Sequence, residues 1–381
     1  MDFAWTPLQR ELYAETLSFA QGLSATLDRK RPRPFGPAEW GAVGRHGLLG
    51  LCLARAYGGM ELDAVTTARV IEAFGRGCED FGLVFSACAH LLACAKPIAE
   101  HGHDELKDRV LAPLGTGELI GANAITEAEA GSDVFSLKTR YRAEGDEVYL
   151  DGVKSYVSNG PVADIFLVYA TEDPKWGHMG VSAFVVERDR PGLVVGEPFD
   201  KMGLSTSPVS SIYLEECRIP AANRVGGRGA GAKVFSSSMV WERTCLFAGY
   251  LGAMERQLER TVEHVRQRRQ FGKRLSRHQA VAHRVADMKV RLETARMMLY
   301  RACWEKHRDP SKASNLWVSM AKLVVSEAAV QTSLDAIHLH GGLGIVAECG
   351  LERDLRDAIP SRIFSGTSEI QRDLIAAGMG L

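Results

Sequence analysis

Residues 147–160 read EVYLDGVKSYVSNG, and the fold turns on them. β-Branched and aromatic residues crowd a short run that closes on Asn159-Gly160, which is strand chemistry bounded by a turn signal. DIFLVYAT (164–171), VSAFVVE (181–187) and SIYLEECRIP (211–220) repeat that character, separated by Gly, Pro and Asp. Together they predict a small β domain over residues 122–225. Upstream, PAEWGAVGRHGLLGL (37–51) and LLACAKPIAEHGHDELKDRVLAPL (91–114) place apolar residues at three- and four-residue steps, with Gly-rich breaks such as AYGGMELD (56–63). That period predicts a helical domain over 1–121. Downstream, Leu251, Met254, Leu258, Val262 and Val265 form one stripe, and Val281, Val285, Met288, Leu292, Ala295 and Leu299 another. Both suit the long helices of a bundle over 226–381. The expected fold class is mainly α with an inserted β domain.

At 381 residues the chain can bury a large core in two or three domains. Lys plus Arg number 46 against 47 for Asp plus Glu, so the formal net charge is −1. Phosphate binding along a nucleic acid needs a positive excess, so no nucleic-acid partner is expected. No apolar run is expected to reach the length needed to span a bilayer, and MDFAWTPLQRELY (1–13) lacks the apolar core of a signal peptide. The eight cysteines form no CxxC pair and no zinc-like spacing with histidine. They read as free buried thiols. A cytoplasmic protein without a metal or a membrane partner is expected.

Six stretches have residues suited to chemistry. NAITEAEAGSD (123–133) offers Thr126, Ser132 and the Gly131 backbone as hydrogen-bonding groups, or is an ordinary polar loop. YVSNG (156–160) sets a ring and the Ser158 hydroxyl before an Asn-Gly step, which suits a flat ligand or a plain β-turn. The basic helix end from Arg256 to Arg277 includes RRQFGKRLSRHQ (268–279), with five cations, one aromatic and no acid; it suits a pyrophosphate or an acidic protein, and a solvated face less well because of the embedded Phe271-Gly272 turn. HLHGGLG (338–344) could be a helix terminus whose free N–H groups approach a phosphate; its glycines lack dinucleotide-fingerprint spacing. IFSGTSEIQR (363–372) has the form of a catalytic turn, yet Ser365 alone is a poor base.

The sixth is Glu242 in SSSMVWERTCLFAGYLG (236–252). Its helical neighbours are Ser238, Met239, Cys245 and Leu246, and none is cationic. Arg243 points about 100° away around a helix. Such a carboxylate is either exposed on a ridge or desolvated, and desolvation would raise its pKa toward that of a useful base. The residues alone leave these two readings even.

Taken in order and spacing, ITEAEAGSD, KSYVSNG, RRQFGKRLSRHQ, HLHGGLG and IFSGTSEIQR resemble the acyl-CoA dehydrogenase family across essentially the whole chain. The resemblance implies an N-terminal helical domain, a middle β-barrel domain and a C-terminal four-helix bundle. It implies FAD. By motif, Ala124, Thr126, Gly131, Ser132 and Ser158 would hold the flavin, with Tyr156 as the stacking ring. Arg268 and Phe271 would reach the FAD of a neighbouring subunit, which implies a homotetramer or homodimer. Gln279, His338, Gly341 and Gly342 would line the adenine and pyrophosphate, and Thr367 and Glu369 would stand near the pyrophosphate. Ser132, Arg243, Ser365 and Gly366 would border the substrate.

The chain departs from the common family pattern in three places. Many members carry Glu just before the last Gly-Thr and Tyr before that; here the residues are Ser365 and Phe364. A minority place the base on the first long bundle helix, before an Arg, which matches Glu242-Arg243. The family often has Arg in the MGLR segment, where this chain has Ser205 in KMGLSTSPVS. Within the family, ITEAEAGSD, MVWERTCLFAGYLGAMERQLE, HVRQRRQFGK and IFSGTSEIQ resemble members that oxidise proline held as a thioester on a carrier protein. That resemblance implies a peptidyl or acyl carrier protein as partner, a pyrrolyl-type product, and oxygen or an electron-transfer protein as electron acceptor. The competing readings are a short branched-chain acyl-CoA dehydrogenase and a non-catalytic flavin- or acyl-binding homologue.

Overall fold

The computed structural model describes residues 4–27, 33–308 and 315–381. Six α-helices come first: α1 (Pro7–Thr26), α2 (Pro37–Arg45), α3 (Ala64–Gly77), α4 (Phe81–Cys88), α5 (Lys96–His101) and α6 (Asp104–Thr116). Their starts follow from local chemistry. Thr6 and Gln9 close a capping box on α1, and Asp63 accepts the Thr66 N–H at 2.8 Å to open α3. Gly117, at φ 81, ends α6 in the left-handed conformation that favours glycine.

Eight strands follow: β1 (Gly121–Ala124), β2 (Arg140–Glu144), β3 (Glu147–Ser158), β4 (Ile165–Thr171), β5 (Val181–Glu187), β6 (Leu193–Val195), β7 (Val209–Pro220) and β8 (Arg224–Val225). They pair in the order β6-β7-β3-β2-β4-β5-β8, with β1 parallel to β4. β4 is buried at every position because both its faces are covered. Ile165, Leu167 and Tyr169 enter the large core shared with the helices, while Phe166, Val168 and Ala170 enter a second core on the other face.

The bundle comprises α7 (Gly231–Trp241), α8 (Ala248–Gln267), α9 (Gln279–Arg308) and α10 (Asn315–His340), followed by α11 (Leu351–Ala358) and α12 (Ser368–Gly378). The two apolar stripes turn inward: Leu251, Met254, Leu258 and Val265 are buried, as are Met288, Leu292, Ala295 and Leu299. α3 and α8 pack backbone to backbone. A Cβ added at Gly75 would stand 2.1 Å from Gly249 O, and one at Gly252 would stand 2.1 Å from Glu72 O.

One expectation is corrected here. By length and composition the continuous helix Phe81–His101, α4 through α5, is apolar enough to cross a membrane. However, 89% of its apolar stretch is buried inside the fold, as suits a core helix.

Candidate active site

α7 runs into a single π-helical turn, Glu242–Leu246, before α8 begins. Such turns recur at functional sites because they interrupt the regular ladder. This one packs against a second π turn, Ala89–Ala95. Glu242 opens the turn and is 7% exposed. Its carboxylate accepts a short hydrogen bond from Ser365 Oγ. Arg243, also buried, donates from Nε to Ser365 O at 2.8 Å. The two side chains leave the helix in different directions, as expected. They meet again because the 364–366 loop lies between them: Ser365 gives its hydroxyl to one and its carbonyl to the other.

Ser365 holds φ 56 and Gly366 φ 87. The left-handed conformation costs a serine about 1 kcal/mol or more, so the surroundings must enforce it. Arg243 does so together with Gln371, whose Nε2 donates to Ser365 O at 3.2 Å and Gly366 O at 3.0 Å. Burial raises the Glu242 carboxyl above its ordinary range. The Ser365 hydrogen bond, Arg243 and Lys322 oppose that shift without cancelling it. Burial also pushes the Arg243 guanidinium down to about 10.

Lys322 is fully buried on α10, and its Nζ has no hydrogen-bond partner among the described residues. The ammonium stands 5.7 Å from the centre of the Phe247 ring. Burial first, and then the Arg243 charge, push its pKa down to about 7 from an ordinary 10.5. Between those values the unfolded chain holds the extra proton, so this residue's cost to the fold shrinks as pH rises through that window. Lys322→Met should stabilise the protein by ~2 kcal/mol or more below pH 7, as expected for removing an unsatisfied buried charge. The gain should fade toward pH 10.5. Thermal unfolding at several pH values checks this; a gain independent of pH would contradict it.

A second cluster forms at the end of β3. The inward phase of the strand runs through Val148, Leu150 and Lys154, then a bulge shifts the register before Val157. Tyr156 sits in that bulge at φ 56, and its ring is turned outward, 66% exposed, 5.5 Å from Phe199. Ser158 follows, half-buried. Lys154 is fully buried and donates to Glu127 Oε1 at 2.7 Å and Ile125 O at 3.1 Å. Ser155 N donates to Thr126 O at 2.8 Å. The segment carrying Thr126 is thereby fastened to the strand carrying Tyr156 and Ser158. Burial pushes Glu127 up, but the Lys154 charge and the hydrogen bonds prevail, and the carboxyl lies below its ordinary range. Burial pushes Lys154 down to about 8.

Asn159-Gly160 does open a turn, with Val162 N donating to Asn159 O at 2.9 Å, but it closes no hairpin, since β3 pairs with β2 and β7 and not with the next strand. Asn159, at φ 64, is fully buried and donates from Nδ2 to Ser86 O at 3.1 Å and Gly121 O at 3.3 Å. The Phe85 ring on the same helix packs 4.8 Å from the Phe364 ring. α4 therefore touches both the end of β3 and the loop holding Ser365.

Three consecutive family models match this chain: acyl-CoA dehydrogenase N-terminal domain over 6–118, middle domain over 122–217 and C-terminal domain over 229–380. This chain belongs to the acyl-CoA dehydrogenase family. Among curated relatives, an L-prolyl-[peptidyl-carrier protein] dehydrogenase of Pseudomonas fluorescens is 48% identical, with 100% of each chain covered. One from a Serratia species is 44% identical over 100% of this chain and 99% of the relative. Among solved structures, the prolyl acyl carrier protein oxidase AnaB is 41% identical with a TM-score of 0.96, covering 99% of this chain and 100% of AnaB. PigA with FAD and proline is 42% identical with a TM-score of 0.96, and 100% of each chain is covered.

The remaining candidate residues of this acyl-CoA dehydrogenase family chain gather elsewhere. Arg268, Phe271, Gln279, His338, Gly341 and Gly342 lie at the far end of the bundle, where the His264 and His340 rings stack at 4.2 Å. The 20 residues of α8 set that end roughly 30 Å from Glu242. Three expectations are corrected. Arg256 points inward, donating to Gly75 O at 2.5 Å and Cys78 O at 2.9 Å, so it adds nothing to a basic surface. Residues 269–274 form a two-stranded hairpin and not a helix end; Phe271 and Gly272, at φ 52 and 77, make its turn, and Phe271 is 92% exposed. Residues 338–340 close α10 at its carboxyl end, where the unpaired backbone groups are carbonyls. Any N–H offered there comes from the turn Gly341–Ile345, where a Cβ at Gly341 or Gly342 would meet nothing within 4 Å.

Ala124 is buried in β1, and Gly131 and Ser132 are exposed on the loop after it. Thr367 caps α12 by accepting the Ile370 N–H at 3.3 Å, and Glu369 is exposed in its first turn. The segment holding Ser205 is fixed by its neighbours: Leu204 N donates to Asp357 Oδ1 at 2.5 Å, and Ser207 Oγ pairs with Ser86 Oγ at 2.8 Å. Sequence reasoning passed over Lys154 and Lys322. Each left a signal. Lys154 occupies an inward phase of its strand, and Lys322 falls between Val318 and Val325 on a core-facing stripe.

Proposed function

We propose that this chain is an FAD-dependent dehydrogenase of a thioester-bound acyl group. Its proposed substrate is prolyl on a peptidyl-carrier protein, and its product a pyrrolyl-type thioester in natural-product biosynthesis. The observation that carries the reading is the buried Glu242 carboxylate, raised in pKa and hydrogen-bonded by Ser365. The full-length relatives that act on prolyl carrier protein support the choice of substrate. A thioester carbonyl acidifies the adjacent Cα–H, and Glu242 removes that proton. FAD, when bound, supplies the acceptor for the hydride that leaves Cβ. Ser365 and Gly366 are small and leave room beside Glu242 for a five-membered ring, and Arg243 holds that loop in place.

The chain's own residues fit a flavin. Thr126 and Ser158 offer hydroxyls from two fastened segments, and Tyr156 presents an open ring between them. Ala124, Gly131 and Ser132 join them in holding the flavin in this reading. In this reading Arg268 and Phe271 serve a neighbouring subunit's cofactor, because α8 separates them from the Glu242 of their own chain; Gln279, His338, Gly341, Gly342, Thr367 and Glu369 complete the nucleotide end. A homotetramer or homodimer follows. A second oxidation of the cyclic enamine reaches the aromatic ring, and the electrons pass to oxygen or an electron-transfer protein. The reading places the enzyme in the cytoplasm.

Anaerobic flavin bleaching with prolyl carrier protein, isovaleryl-CoA and butyryl-CoA, with mass analysis of products, tests the proposal. Bleaching by the prolyl carrier protein and loss of four hydrogens overall are expected. Bleaching by the CoA esters alone would overturn it, and no bleaching by any thioester would favour a binding protein without activity. Ser365→Ala removes a donor to the carboxylate, so Glu242 should rise further. The acid limb of kcat/KM should then move up by ~1–2 pH units, the worth of a charge-assisted hydrogen bond. An unmoved limb would separate Ser365 from the base.

A further inference from the structure

Beyond β4 the chain turns through Pro174–Gly180 and carries Lys175, Trp176, His178 and Met179 to the surface. Trp176 is 48% and Met179 67% exposed. Two large apolar side chains held out on a loop beside Lys175 add nothing to the core and mark a contact surface. α7 starts against this loop: a Cβ at Gly229 would stand 2.6 Å from Met179 O, and one at Gly231 2.8 Å from the Val181 carbonyl carbon. Lys233 is exposed in the first turn of α7. The neighbouring acids are engaged. Glu172 holds Arg228, Asp173 accepts the Lys175 N–H at 2.9 Å, and Glu100 accepts Trp241 Nε1 at 2.7 Å. Lys175 and Lys233 form no ion pair among the described residues. The surface is thus apolar at its centre with unpaired positive charge at its rim.

A row of rings leads inward from it. Phe135, three residues past Ser132, lies 6.4 Å from the His178 ring and 6.0 Å from Phe235. Phe235 lies 5.9 Å from Tyr169. Tyr169 is near enough to Glu242 for the carboxylate to add to the upward push on its hydroxyl from burial and Cys94. Phe235 on α7 and Glu242, which opens the π turn continuing it, are seven residues apart and so fall on one face. Lys233 lies roughly 13 Å from Glu242 along the helix at 1.5 Å per residue. An extended pantetheine arm spans that distance and carries its thioester at the tip.

We propose that the Pro174–Gly180 loop and the start of α7 form the docking surface for the acidic helix of a carrier protein, which delivers its acyl-pantetheine arm past Phe135 and Phe235 to Glu242. The inference rests on the carrier-protein reading above and adds where the partner sits. Trp176 and Met179 are the apolar anchor, and Lys175 and Lys233 complement the partner's carboxylates.

The test uses the FAD-loaded enzyme and the prolyl-loaded carrier protein that serves the Pseudomonas fluorescens relative, with prolyl-pantetheine as a carrier-free substrate. Lys175→Glu combined with Lys233→Glu, and separately Trp176→Ala, should each raise KM for the carrier about tenfold or more. Affinity for fluorescently labelled carrier protein should fall in parallel, and wild-type kcat/KM on the carrier should fall with added salt. Turnover of prolyl-pantetheine should stay within about twofold of wild type, which also reports an intact site. Unchanged carrier kinetics in a wild type that uses the carrier would overturn the docking surface and leave the substrate reading standing. An equal loss on prolyl-pantetheine, or a changed oligomeric state by sedimentation, would assign the surface to folding or to subunit contact and likewise overturn it. A wild type that oxidises CoA esters and not the carrier would overturn the reading beneath it.

Discussion

Glu242→Gln should retain FAD and the fold, yet reduce flavin bleaching by prolyl thioester by ~10²–10⁴-fold, the usual range for losing a positioned general base. Glutamine preserves size and can still accept the Ser365 Oγ–H hydrogen bond, so the loss isolates the carboxylate's proton affinity. The wild type should show a matching acid limb. Burial raises the Glu242 pKa, so kcat/KM should fall as pH drops through that raised value and recover above it. Stopped-flow bleaching of both proteins across pH measures the two effects together. Near-wild-type bleaching in Glu242→Gln would remove Glu242 from the role of base.

Lys154→Met should cost ~3–5 kcal/mol, because it leaves the Glu127 carboxylate buried without its cation. The deficit has a pH signature. In the wild type Glu127 lies below its ordinary 4.5, so its contribution is present above that value and lost as pH falls through the lower one. In the variant the unpaired carboxyl is raised instead, and the deficit should shrink as acid protonates it. FAD retention should fall as well, since Lys154 fastens the Thr126 segment to the strand of Tyr156 and Ser158. Adding Glu127→Gln should recover much of the stability. Unfolding curves at pH 4 and 7 with flavin content decide the matter; a pH-independent deficit, unrelieved by Glu127→Gln, would attribute the loss to packing.

The architecture was legible because its signals are local. Stripes at three- and four-residue steps and runs of β-branched residues are set by the helix and strand periods themselves, so α8, α9 and β3–β5 could be read one at a time. The arrangement at the site was less legible because it depends on partners remote in sequence. Glu242 and Ser365 are separated by 123 positions, and Lys154 and Glu127 by 27. The Phe271-Gly272 turn was legible from its glycine, but the strands it joins were not, because each pairs only two residues, Arg269-Gln270 with Lys273-Arg274. The Asn159-Gly160 step told half its story: it opens a turn, as its residues suggest, but the Asn159 amide also reaches α4, a partner remote in sequence.

The two-sided burial of β4 and β5 has a consequence for how this protein can be divided. Ile165, Leu167, Tyr169, Val181, Ala183 and Val185 all face the core shared with the helices. Expressed as a separate piece, residues 122–225 would present these six side chains to water as one sticky plane, an invitation to aggregate. The three consecutive family models therefore mark segments of inheritance, whereas the units of solubility are larger. Chimeras that exchange the middle segment among relatives must carry across the helical surface that covers it.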